Sequence, residues 1–137
     1  MSIDKENIRP THITNKEWYY FHIELVVDPD FQQGSPSLFN SMEVDNLTWK
    51  TLIGNSLKTL HGIRGDACHF DILDKPKSKP VNRVIIRTQL EDKELFITSL
   101  TNYTFWVGLH LGSEFDTDGY LKINKQALYL GLLLNDF

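Results

Sequence analysis

From Trp18 to Val27 the chain alternates. Tyr19, Phe21, Ile23, Leu25 and Val27 share one face, and Trp18, Tyr20, His22 and Glu24 share the other. A period of two predicts a half-buried strand. Asp28-Pro29-Asp30 stops it, and a Gly/Ser/Pro-containing loop is expected to about Val44, long enough to be either functional or disordered. The period then changes. Trp49, Ile53, Leu57 and Leu60, flanked by Leu52 and Ser56, form a helical stripe that Asp45 can cap and Gly62 can end in a left-handed conformation. Cys68, Phe70 and Ile72 alternate into a second strand, and a Lys/Pro-rich turn covers residues 74–80. Val81 to Gln89 predicts a third strand, with Val84 and Ile86 inward and Arg83 and Arg87 outward. Glu91 or Asp92 opens a second helix that runs to about Asn102, with acidic residues in its first turn. Phe105 to Leu111 reads as a fourth strand, and the leucine-rich stretch from Leu121 to Asn135 as a third helix.

The predicted order is β-α-β-β-α-β plus a C-terminal helix, a ferredoxin-like α+β sandwich with its helices on one sheet face. Residues 1–15 are polar and are expected to form a flexible arm, leaving 16–137 as a single domain. The apolar-all-round segment Leu128 to Leu134 must be buried against something. It can cover the sheet, complete the core, or dock on a partner.

Composition narrows the chemistry. With 41% hydrophobic residues in a chain of 137, a core can form without disulfides or metal. A net charge of −4 lacks the basic bias by which a protein alone grips nucleic acid. Lys75, Lys77, Lys79, Arg83 and Arg87 still fall close together and can make a local basic patch. One cysteine, Cys68, excludes an intrachain disulfide and fits a reducing compartment. The first ten residues carry no apolar leader, and no run approaches the ~20 apolar residues of a membrane span.

No catalytic constellation emerges. An RNA-recognition strand needs rings at fixed positions, and Val81-Asn82-Arg83-Val84-Ile85-Ile86-Arg87 has none. Trp18, Tyr20 and His22 offer a smaller stacking surface. Gly62-Ile63-Arg64-Gly65 is spelled like an RNA-clamping Gly-x-x-Gly loop, but it joins a helix to a strand rather than two helices. His61, Cys68, His69 and Asp71 lack metal-ligand spacing, and adjacent strand residues point to opposite faces. Glu114, Asp116 and Asp118 lie in a turn and read as solvated. No cofactor is expected. Trp18, Tyr20, Leu128, Tyr129, Leu132 and Leu133 are the candidate partner-interface residues, and Lys77, Lys79, Arg83 and Arg87 the candidate RNA contacts.

Glu17-Trp18-x-Tyr20-Phe21, Thr48-Trp49, Leu57-Lys58 and Gly62-Ile63-x-Gly65 together resemble the small ribonuclease P and ribonuclease MRP protein subunits of the Pop-eight type, related to the Rpp-fourteen and Pop-five group. The similarity spans roughly residues 17–74. It implies a non-catalytic subunit of a ribonucleoprotein that removes the 5′ leader of precursor tRNA and processes ribosomal RNA. It further implies a nuclear and nucleolar location, a Pop-five-like sibling and an Rpp-one-like subunit as neighbours, and mostly indirect contact with the RNA. Neither DNA nor a membrane is expected among its partners. The alternative is a stand-alone single-stranded RNA binder of the same fold, using Trp18, Tyr20, Arg83 and Arg87.

Overall fold

The computed structural model describes residues 17–134. The expected arm at 1–15 and the end of the expected C-terminal helix lie outside the described residues. Strand β1 (Trp18–Val27) is the axis of the fold, with Phe21, Ile23 and Leu25 fully buried on its helix-facing side. Aromatic and β-branched residues favour such a pleated, half-buried setting.

The segment after β1 is structured rather than a loop. Asp28 caps helix α1 (Pro29–Gly34) by accepting from the Asp30 N–H at 2.9 Å, and α2 (Pro36–Asn40) follows at once. Each helix starts on a proline, whose fixed φ suits a first turn. Phe31, Leu38 and Phe39 pack on the core. The chain then bridges Glu43 to Val81, burying Met42 and Val44.

Helix α3 (Asn46–Asp66) is capped by Asp45, which accepts from the Thr48 N–H at 2.8 Å. It buries Trp49, Leu52, Ile53, Ser56 and Leu57. Leu60 does not continue this stripe and is exposed. The helix turns at Gly62 (φ 60°), and Gly65 takes the inward place instead. A Cβ at Gly65 would lie 2.1 Å from the Leu57 carbonyl oxygen, so only glycine fits there. The Gly-Ile-Arg-Gly tetrapeptide is thus a steric corner: its first glycine supplies the positive φ and its second the close approach.

Strands β2 (Phe70–Asp74) and β3 (Arg83–Gln89) follow, then a 3₁₀ turn (Leu90–Asp92) and α4 (Lys93–Thr101). Phe96 of α4 stacks on Phe21 at 6.1 Å and meets Phe70 edge-on at 5.9 Å, tying helix to sheet. The expected strand over 105–111 is shorter. Strand β4 (Thr104–Trp106) gives way to a single helical turn, α5 (Gly108–Leu111). The Trp106 ring lies against Gly108, where a Cβ would come within 2.5 Å of it, and the chain turns at that contact.

The larger correction concerns the expected helix over 121–135. Residues 118–127 form strand β5 (Asp118–Ala127), and only a 3₁₀ turn (Leu130–Leu132) follows. Tyr120, Leu121, Lys122 and Ile123 alternate outward and inward, a strand pattern that leucine-rich composition had obscured. The deciding force is pairing. β5 runs antiparallel along β1 from Val27↔Gly119 to Tyr20↔Ala127, and without it β1 would present a long unpaired edge. A bulge between His22 and Ile23 absorbs Asn124, whose amide donates to Glu24 Oε1 at 2.9 Å.

The sheet order is β2-β3-β1-β5-β4. Its first four strands are the ferredoxin-like core, and β4 widens the edge. Helices α3 and α4 cover the face that carries Phe21, Ile23 and Leu25.

A candidate protein-binding surface

The face away from the helices brings together Trp18 and Tyr20 from β1 with Arg83 and Arg87 from β3, because Tyr20 pairs with Arg87 and Glu24 with Arg83. Arg87 engages two neighbours on this face. The Arg87 guanidinium donates to Asp71 Oδ2 from Nε (3.1 Å) and Nη2 (2.8 Å) and lies 4.2 Å over the Trp18 ring. The ring and the fork that would stack on a base and grip a phosphate are already occupied with each other and with Asp71. Lys122 and Lys125, read from the sequence as helical, come to this face opposite Glu24 and His22.

The four residues predicted to touch RNA do not form one cluster. Arg83 and Arg87 lie about 13 Å apart along the strand. Lys77 and Lys79 are exposed on the loop before β3, and Lys79 forms an ion pair with Glu43 at 3.3 Å.

The predicted leucine segment follows the C-terminal end of β5. Leaving the sheet at Ala127, the chain places Leu128, Tyr129 and Leu132 beside Tyr19, Leu90 and Lys93, around a groove of about 570 Å³. Leu128, Tyr129 and Leu132 are 46%, 70% and 59% exposed. Leu133 is different. The 3₁₀ turn carries it inward, with its N–H donating to the Leu130 carbonyl at 2.9 Å, and it is fully buried. It is packing rather than docking surface. Tyr19, Leu90 and Lys93 were missed as site residues, because no local signal links positions so distant in sequence.

Cys68 offers little reactivity. Burial pushes the Cys68 thiol up, with Asp92 adding to the effect, and its Sγ donates to the Arg64 carbonyl. It is therefore held as a thiol, the poor nucleophile. His61 Nε2 lies 3.0 Å from Thr98 Oγ1. Asp28, Asp30, Asp116 and Asp118 surround a hollow with Phe31 and Trp106, whose indole N–H donates to Asp116 Oδ1 at 2.9 Å. Among the described residues no group of three or more His, Cys, Asp or Glu is arranged to hold a metal ion, and no helix is long and apolar enough to cross a membrane.

Fold and surface together define the class: a ferredoxin-like α+β module whose most conspicuous exposed feature is apolar. Residues 17–103 match the model of the family "Ribonucleases P/MRP protein subunit Pop8", and the chain belongs to that family. Among its relatives, the ribonucleases P/MRP protein subunit POP8 of Saccharomyces cerevisiae is 27% identical over 90 residues, 66% of this chain and 60% of the relative. The chain thus spans less than two thirds of that relative's length. A chain in the cryo-EM structure of yeast ribonuclease MRP superposes with a TM-score of 0.63 at 23% identity, covering 84% of this chain and 76% of that one. The superposition establishes a shared fold. The matched family span ends before β4 and β5, so the groove formed by Leu128, Tyr129 and Leu132 lies partly outside it.

Proposed function

We propose that this chain is a non-catalytic protein subunit of the ribonuclease P/MRP ribonucleoprotein. It supports removal of the 5′ leader from precursor tRNA and processing of ribosomal RNA by holding protein neighbours, in the nucleus and nucleolus. A Pop-five-like sibling and an Rpp-one-like subunit are the expected neighbours, with the RNA contacted mostly indirectly. The family match over residues 17–103 carries this reading. Two features of the molecule support it: Arg87 on the sheet face is engaged with Trp18 and Asp71, and the exposed Leu128, Tyr129 and Leu132 gather into one groove. Trp18, Tyr20, Leu128, Tyr129 and Leu132 are the residues we assign to protein contact.

The test is affinity purification of the tagged full-length chain from its own cells. Ribonuclease P RNA, MRP RNA or both should co-purify with the other protein subunits, and depletion of the chain should accumulate 5′-extended precursor tRNA. The purified, RNA-free chain should leave precursor tRNA uncut. Cleavage by the chain alone would overturn the non-catalytic role, and absence of both RNAs would overturn membership of the particle. Tight, salt-sensitive binding of single-stranded RNA by the chain alone would favour the stand-alone RNA binder instead.

A further inference from the structure

The groove at the end of β5 contains one charged residue, Lys93. Lys93 is half-buried, and its ammonium lies 5.1 Å from the Tyr19 ring centroid. Among the described residues it meets no carboxylate. A cation drawn partly out of water against an aromatic ring recovers only part of its hydration through the ring quadrupole. An anion beside the ammonium would supply the charge pairing that the ring does not. Leu128, Tyr129 and Leu132, which also line it, are apolar or amphipathic and stay substantially exposed, so the groove also lacks an apolar cover.

We propose that this groove seats an amphipathic segment of a neighbouring protein, whose apolar side chains fill the space between Leu128, Tyr129 and Leu132 and whose Asp or Glu carboxylate pairs with Lys93. The inference deepens the assembly reading above and rests on it. The chemistry favours protein over RNA: a polyphosphate chain needs several cations along its path, whereas this lining supplies one cation amid leucines and tyrosines. Tyr129, the most exposed of them at 70%, is the natural anchor, since a rigid ring buries much area at low entropy cost. A charged pair at the rim of such a patch sets the register of the incoming segment, and the leucines supply the area that is dehydrated.

The test uses the full-length tagged chain assembled in its particle. A zero-length carbodiimide couples amines only to carboxylates in contact, and a benzophenone amino acid at position 129 marks whatever lies over the groove. The expected result is an amide link from Lys93 to an Asp or Glu of another polypeptide, with the benzophenone adduct falling within a few residues of that same carboxylate. Lys93→Glu should weaken association with that polypeptide about tenfold or more, while Lys93→Arg retains it. Leu132→Asp, at an exposed position, should weaken the same association while leaving the melting of the isolated chain unchanged. The proposal is overturned if position 129 marks RNA or a second copy of this chain, or stays unreacted in the intact particle. Wild-type association of both Lys93→Glu and Leu132→Asp would overturn it as well. If another protein is cross-linked but neither ribonuclease RNA is present, the groove assignment stands and the particle assignment falls.

Discussion

The two parts of the chain on either side of Asn102 contribute to the molecule in opposite proportions. Residues 18–101 supply most of the buried cluster, including Phe21, Ile23, Trp49, Leu57, Ile86 and Phe96. Residues 104–134 supply seven of the eleven exposed large apolar side chains among the described residues, from Trp106 to Leu134. Yet the second part is no appendage. It inserts β5 against the free edge of β1, and it adds Val107, Phe115 and Leu121 to the core. One short segment therefore closes the sheet and, a few residues later, presents the groove. The pairing with β1 and the groove are separated by no more than the end of a strand.

The comparison is tested most severely at the core. Trp49→Ala should destabilise the chain by ~3–5 kcal/mol, because the ring is fully buried and leaves a large cavity. If, as we propose, both parts form one folding unit, Leu121→Ala should cost ~2–5 kcal/mol in the same single unfolding transition. Denaturant melts of both variants read this directly. A Leu121→Ala melt indistinguishable from wild type would make the second part an appendage after all.

A smaller effect separates two glycines of α3 with opposite signs. Gly65→Ala should destabilise by ~1–3 kcal/mol, since the new methyl meets the Leu57 carbonyl. Gly54→Ala should stabilise by ~0.5–1 kcal/mol: nothing lies within 4 Å, and alanine has the better helix propensity. Equal effects of the same sign would remove the steric account of the Gly62–Gly65 corner.

The smallest effect is at the start of α3. Asp45→Ala should cost ~1 kcal/mol as the cap is lost. The backbone hydrogen bond from Thr48 holds the Asp45 carboxyl below its ordinary value, with the Thr48 side chain assisting. A depressed folded value means that the contribution is present above the unfolded pKa, about 3.9, and fades as pH falls through the folded value. The wild type should therefore lose this increment only in acid below about pH 4, and Asp45→Asn should keep the cap but not that acid dependence. Chemical denaturation at pH 7 and pH 3 distinguishes the three proteins.

Legibility followed the range of the signals. β1, the Asp45 cap, the Trp49–Leu57 stripe and the inward Val84 and Ile86 were readable because alternation, capping and helical spacing act within a few residues. The family resemblance, carried by residues in the same region, was readable for that reason and agrees with the match over 17–103. The two short helices at 29–40 escaped because proline and serine mark loops and helix starts alike. Leu128, Tyr129 and Leu132 were picked out by their composition, but Leu133 could not be told from them, since a 3₁₀ turn decides which leucine faces inward.

By itself the amino-acid sequence determined the central strand, the capped helix that covers it and the family; it also pointed to the ferredoxin-like class, with the fourth strand placed at 105–111 instead of 118–127. The first three are encoded in contiguous residues with the right period or motif. Only the tertiary structure decided that residues 118–127 are a strand, because the open edge of β1 outweighs the helical leaning of Leu, Lys, Gln and Ala. It alone also set Lys93 and Tyr19 beside Tyr129, since contacts between distant positions depend on how the sheet is ordered and leave no local trace.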